Sequence, residues 1–92
     1  MPVTVRVPTQ LRSLTDGKGE IAVEAATAGE ALRALDSLHP GLGERLFDDR
    51  GALRRFVNVF VADEDVRFAG GLETPVPEGA TVSIVPAVAG GA

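Results

Sequence analysis

The segment FVNVFVAD, residues 56–63, alternates so regularly that it commits the chain to a fold containing a sheet. Successive side chains of an extended strand point to opposite faces, so Val57, Val59 and Val61 share one face and Phe56, Asn58 and Phe60 the other. One face must lie on a core. If it is the valine face, Phe60 points outward with Val85 and part of Phe56, forming an exposed apolar patch of the kind that marks a partner site. The opposite register buries the aromatic face instead, and alternation alone leaves both open.

The same period of two recurs towards both ends. Val3, Val5 and Val7 alternate with Thr4, Arg6 and Pro8, and TVSIVP at 81–86 turns Val82 and Ile84 inward and Thr81, Ser83 and Val85 outward. EIAVEA, residues 20–25, supplies Ile21 and Val23 for a hairpin with the first strand, closed by a turn at DGKG, residues 16–19. The loop from Leu11 to Thr15 makes that connection longer than a tight turn. After the central strand, DED at 63–65 reads as an acidic turn, VRF at 66–68 as a shorter strand, and AGGLETPVPEGA at 69–80 as a loop.

One segment switches to a helical period. Thr27 stands three residues before Glu30, the spacing of a capping box, and AGEALRALDSL at 28–38 places Ala31, Leu32, Leu35 and Leu38 on one face. HPG at 39–41 ends this helix, and Leu42, Leu46 and Phe47 suit a short second helix or turn. A helix of this length, about 16 Å, can cover one face of a four- or five-stranded mixed sheet. The predicted class is therefore an α+β roll. If the first and last strands pair centrally and in parallel, it is the β-grasp (ubiquitin-like) topology; a ferredoxin-like arrangement also fits the order, but only one helix is convincing. With 92 residues there is room for a single core, expected over 1–86, followed by a flexible tail at 87–92.

Composition narrows the function. Net charge is -4, the bases are dispersed apart from Arg50, Arg54 and Arg55, and Trp and Tyr are absent, which argues against nucleic acid as the main ligand. No cysteine is present, so thiolate nucleophiles, disulfides and Cys-based zinc sites are excluded. No apolar run approaches the roughly 18 residues of a membrane span, and the N-terminus lacks a signal pattern, so a cytoplasmic protein without a membrane partner is expected.

No catalytic or metal site is expected either. His39 has Asp36 one helical turn before it, but no serine, cysteine or second ligand completes a dyad, and a histidine at a helix C-terminus is explained by the macrodipole. Asp63, Glu64 and Asp65 lack the ligand number of a calcium loop. Gly41, Gly43, Gly70 and Gly71 lack the spacing of a phosphate loop and read as turns.

The tail is more informative. Ala87, Val88, Ala89, Gly90, Gly91 and Ala92 carry no charge and, apart from Val88, no bulk; extended, they reach about 20 Å. Such a segment fits a narrow channel, and glycines pass where any Cβ would collide, so a partner enzyme can act on a carboxylate in a tight, water-poor site.

The stretch RFVNVFVADEDVRFAGGLETPVPEGATVSIVPAVAGG, residues 55–91, closely resembles the MoaD/ThiS family of ubiquitin-like sulfur carriers, in particular its actinobacterial CysO type. VTVRVPTQLRSLTDG and the helix followed by GLGERLFD are similar too, so the likeness spans nearly the whole chain. The resemblance implies a non-enzymatic β-grasp carrier. Its Gly91 carboxylate would be adenylated by a ubiquitin-activating-like enzyme and converted to a thiocarboxylate. ATP and magnesium would belong to that enzyme, with no cofactor bound by the carrier. Gly90 would give clearance, Ala87, Val88 and Ala89 would line the partner's channel, and Phe60 and Val85 would contact the activating and sulfur-accepting enzymes. The sulfur would go to cysteine, made in CysO-type systems from an activated serine derivative, or to a thiosugar or another sulfur metabolite. A metalloprotease would later release the cysteine product from the tail. Ala92 departs from the pattern, since mature carriers end on the second glycine, and a tail-processing peptidase would have to remove it. Two other readings are a protein modifier conjugated to target lysines and a non-covalent β-grasp binding subunit.

Overall fold

The computed structural model describes residues 2–55 and 57–86. Phe56 and the six tail positions Ala87, Val88, Ala89, Gly90, Gly91 and Ala92 lie outside the described residues, as does Met1. Strand β1 (Pro2–Arg6) is followed by a 3-10 turn at Thr9–Thr15, β2 (Glu20–Glu24), helix α1 (Ala28–Leu38) and helix α2 (Leu42–Leu46). Then come β3 (Val57–Val61), β4 (Glu64–Asp65), 3-10 turns at Val66–Phe68 and Gly71–Glu73, and β5 (Thr81–Pro86).

The strands form one sheet in the order β2-β1-β5-β3-β4. β1 and β5 are parallel, with Val5 opposite Val82, and the other neighbours are antiparallel. Parallel terminal strands at the centre of a mixed sheet, with the main helix packed against it, make the β-grasp fold and set aside the ferredoxin-like alternative.

Hydrophobic burial decides the register. Val57, Val59 and Val61 are buried with Val3, Val5, Ile21, Val23, Val82 and Ile84, and Leu32, Leu35, Leu42 and Leu46 complete the same cluster. The valine face of β3 is therefore the inner one, and Phe60 stands on the outer face. At roughly 25 cal/mol per Å² of apolar surface removed from water, this aliphatic cluster is the main source of stability. Buried polar side chains are few and satisfied: the Thr15 hydroxyl donates to the Lys18 carbonyl (2.7 Å), and that of Thr74 donates to the Gly71 carbonyl (2.8 Å).

Helix α1 begins as its sequence indicates. The Glu30 amide donates to Thr27 Oγ1 (3.2 Å), and Glu30 Oε1 accepts from the Ala26 amide (2.9 Å), so the returning arm of the box lands one residue upstream of the cap. Gly29 is buried because the Gly71–Glu73 turn crosses the helix there; a Cβ at residue 29 would stand 3.0 Å from the Leu72 carbonyl oxygen. Leu38, expected on the buried face, is 58% exposed. A three-residue step from Leu35 rotates it about 60° off the buried stripe. It instead borders a shallow groove with Ala34, Ala22 and Val23 beside the edge strand β2.

Two connections differ from expectation. The short strand is Glu64–Asp65, read from sequence as the acidic turn, whereas Val66–Phe68 forms a 3-10 turn. Asp65 explains the shift: its carboxylate accepts from the Arg67 amide at 2.9 Å and caps that turn, while Val66 is buried. The chain reverses at Ala62 and Asp63, with Val61 opposite Glu64, and Ala62 holds a left-handed φ of 58°. The loop between β1 and β2 winds into the 3-10 turn at Thr9–Thr15.

A non-glycine residue in the left-handed region costs about 1–2 kcal/mol, partly offset by the greater unfolded-state freedom of glycine. Ala62→Gly should therefore raise the unfolding free energy by about 0.5–1 kcal/mol in urea denaturation; unchanged or lower stability would show the turn to be unstrained.

Candidate functional site: the outer sheet face at the end of the last strand

The face of the sheet opposite the core carries mostly short polar side chains. Pairing places Thr4 opposite Thr81, Arg6 opposite Ser83, Ser83 opposite Phe60 and Val85 opposite Asn58. Phe60 and Val85 are therefore diagonal neighbours on adjacent strands, a separation of about 7–8 Å that an aromatic side chain can span. Phe60 is half-buried, and Val85 is 44% exposed. Both residues lie on the outer face as the valine-inward register requires, but of the two only Val85 is exposed. The third member of the expected patch, Phe56, lies outside the described residues.

Charged groups frame the patch. Arg6 lies on the β1 side and is ion-paired with Glu20 at 3.5 Å, both side chains being well exposed. Asp65, opposite Phe60, lies on the β4 side. A shallow depression lined by Arg6, Pro8, Arg12, Ser83 and Val85 adjoins the end of β5, and the Arg12 side chain is steadied there by donating to the Val7 carbonyl at 3.0 Å. Between these charges the described face is lined by short side chains, with Phe60 and Val85 as its large apolar members.

The alternation pointed to Phe60 and Val85, and it did not reveal two exposed residues of the 3-10 turn that follows β4. Phe68 is 86% exposed, the largest exposure among the described large apolar residues. Arg67 reaches back to the start of β3 through four hydrogen bonds, one of them to Asn58 Oδ1 at 3.0 Å. Read as a strand, VRF gave no reason to expect a side chain turned back on the backbone.

Elsewhere, possible catalytic groups have structural work. Asp36 Oδ1 accepts from the Gly43 amide at 2.7 Å, capping the turn into α2, while His39 caps α1 through its backbone amide. Asp36, Glu44, Asp48 and Asp49 border the depression beside α2. Asp48 accepts from the amides of Arg50 (2.8 Å) and Ala52 (3.1 Å), and these donors hold its carboxyl below the ordinary value. Among the described residues no group of three or more His, Asp or Glu side chains could hold a metal ion. No described helix is long and apolar enough to cross a membrane.

Comparison with known proteins agrees with the fold and extends beyond it. The ThiS family model matches residues 5–91. The sulfur carrier protein CysO of Mycobacterium tuberculosis (strain ATCC 25618 / H37Rv) is 47% identical over 93 residues, covering 99% of this chain and 100% of that protein. The crystal structure of an Amycolatopsis orientalis BexX/CysO complex contains a chain that is 48% identical with a TM-score of 0.90, covering 96% of this chain and 98% of that one. Small archaeal modifier protein 3 of Haloferax volcanii is 39% identical over 66 residues, covering 72% of this chain and 71% of that protein. A β-grasp sheet with this strand order and near full-length identity to sulfur carriers lead to one conclusion: the chain belongs to the ThiS family, as a sulfur carrier of the CysO type.

Proposed function

We propose that this carrier bears sulfur on the carboxyl carbon of Gly91. The observation that carries the proposal is the combination of near full-length likeness to CysO with a central last strand that leads directly into AVAGG at 87–91. A chain without cysteine has no thiol on which to hold sulfur, which makes its C-terminal carbon the natural place. In the first step a carboxylate oxygen attacks the α-phosphate of ATP, expelling pyrophosphate and leaving an acyl adenylate. Sulfide then attacks the acyl carbon and displaces AMP, leaving a thiocarboxylate. Both steps belong to a ubiquitin-activating-like partner that supplies ATP and magnesium; the carrier is its protein substrate.

Phe60 and Val85, with Phe56, form the docking surface in this reading. Residues Ala87, Val88 and Ala89 thread the partner's channel, and Gly90 leaves room for the reacting carbon to enter. The partnership seen for the Amycolatopsis CysO with BexX is the precedent for such a complex. A sulfur-accepting biosynthetic enzyme then takes the sulfur into cysteine or another metabolite, such as a thiosugar. Ala92 holds the Gly91 carboxyl in a peptide bond, so a peptidase must act first.

Incubating the full-length chain and an Ala92-deleted chain with activating enzyme, ATP and a sulfide source tests this by intact mass. Oxygen-for-sulfur exchange is expected in the deleted chain alone; exchange at Ala92 of the uncut chain, or in neither, overturns the proposal. For the docking surface, Phe60→Ala and Val85→Asp should each weaken binding to the activating enzyme by about tenfold, equivalent to about 1.4 kcal/mol, with the fold retained. Full affinity in both variants would remove this face from the interface.

The identity to an archaeal modifier protein supports a second reading, in which the same Gly91 carboxyl is joined to lysines of target proteins. Mass spectrometry of extracts separates the two: lysine-linked adducts ending in the tail sequence indicate modification, and their absence alongside a thiocarboxylate indicates carriage alone.

A further inference from the structure

The entry into β3 is folded around a cation supplied from another part of the chain. Arg67 Nη2 lies 2.8 Å from the Arg54 carbonyl oxygen, 3.0 Å from that of Arg55 and 2.8 Å from that of Val57. Arg67 Nη1 donates to Asn58 Oδ1 at 3.0 Å. A guanidinium nitrogen of this kind has two protons, so three carbonyls converge on one donor and share it. Their partial negative charges repel one another at that point, and a fixed positive charge offsets the repulsion. The Val57 amide closes the same loop by donating to the Arg54 carbonyl at 3.0 Å.

The position of this bracket gives it a role beyond local order. Val57 and Asn58, which it holds, pair with Pro86 and Val85, the last residues of β5. Arg67 is in turn held by its own amide, which donates to Asp65 at 2.9 Å, and Asp65 faces Phe60. The docking patch and the root of residues 87–92 are thus fixed to one frame, with a single side chain closing it.

We infer that Arg67 is a positioning residue for the reaction at the chain end, fixing where β5 hands over to the tail relative to the Phe60–Val85 patch. This rests on the carrier reading. The side-chain hydrogen bonds of Arg67 all go to the entry of β3, so its effect on the chain end is exerted through that strand. Displacements of about 1 Å are enough to slow a reaction by about 100-fold when geometry limits it, and a shift of the β5 end would be transmitted along the tail.

The test uses the Ala92-deleted chain and compares Arg67→Ala, Arg67→Lys and Phe60→Ala in the activation assay, alongside amide hydrogen exchange. Arg67→Ala should lower kcat by about 10- to 100-fold with KM little changed, whereas Phe60→Ala should act mainly on KM. Arg67→Lys keeps the charge without the planar fork and should fall between wild type and Arg67→Ala. Exchange in Arg67→Ala should accelerate at Val57, Asn58 and Val85 while the β1–β2 amides of Val3 and Val23 stay protected. Because Arg67 is exposed, added propylguanidinium should reach the emptied bracket and recover part of kcat. Unchanged kcat in Arg67→Ala, a loss confined to KM, or exchange accelerated equally across the sheet would overturn the assignment. A wild-type chain that is not activated at all overturns the carrier reading itself, and the two failures are told apart by the wild-type control.

Discussion

The parallel pairing of β1 with β5 is the constraint on which the other parts of this protein depend. It sets the first and last strands side by side at the sheet centre, with β2 outside β1 and β3 outside β5. The chain between β2 and β3 must then cross one side of the sheet to pass from one half to the other. That side is where Leu32, Leu35, Leu42 and Leu46 meet the strand valines, so a single apolar cluster serves both helices and all four longer strands. The other side is left to short polar residues and the Phe60–Val85 pair.

Features governed by local physics were legible in the sequence. Alternation located β1, β3 and β5, and Thr27 with Glu30 marked the start of α1 because the cap hydrogen bonds form within a few residues. Which face of β3 was inner required knowing what packed on it, and the leucines of α1 and α2 come from elsewhere in the chain. Leu38 looked like part of the helix stripe, but the sheet beneath the last helical turn ends at the edge strand β2. The acidic run was misplaced for a similar reason: Asp65 pairs in the sheet and caps the next turn with its side chain, two tasks that no period in the sequence displays.

The candidate site divides along the same line. Phe60 and Val85 follow from period two once the register is known, whereas Arg67 acts on backbone carbonyls 10 to 13 residues away in sequence, which carry no sequence signature. The general likeness to sulfur carriers pointed to the tail residues, which lie outside the described residues. Of the carboxylates that line the depression beside α2, Asp36 and Asp48 are engaged in capping turns, and the outer face is shallow. That face is modestly apolar at Phe60 and Val85 and framed by Arg6 and Asp65.

The central place of β5 also has a mechanical consequence. Its ladder bonds run across the strand to β1 on one side and β3 on the other. A pull on residue 86 along the strand axis would therefore shear both ladders at once, whereas a strand at the sheet edge could be peeled one bond at a time. Force applied at residue 86 is thus resisted by two ladders rather than one, which protects the body of the fold from load on its last strand.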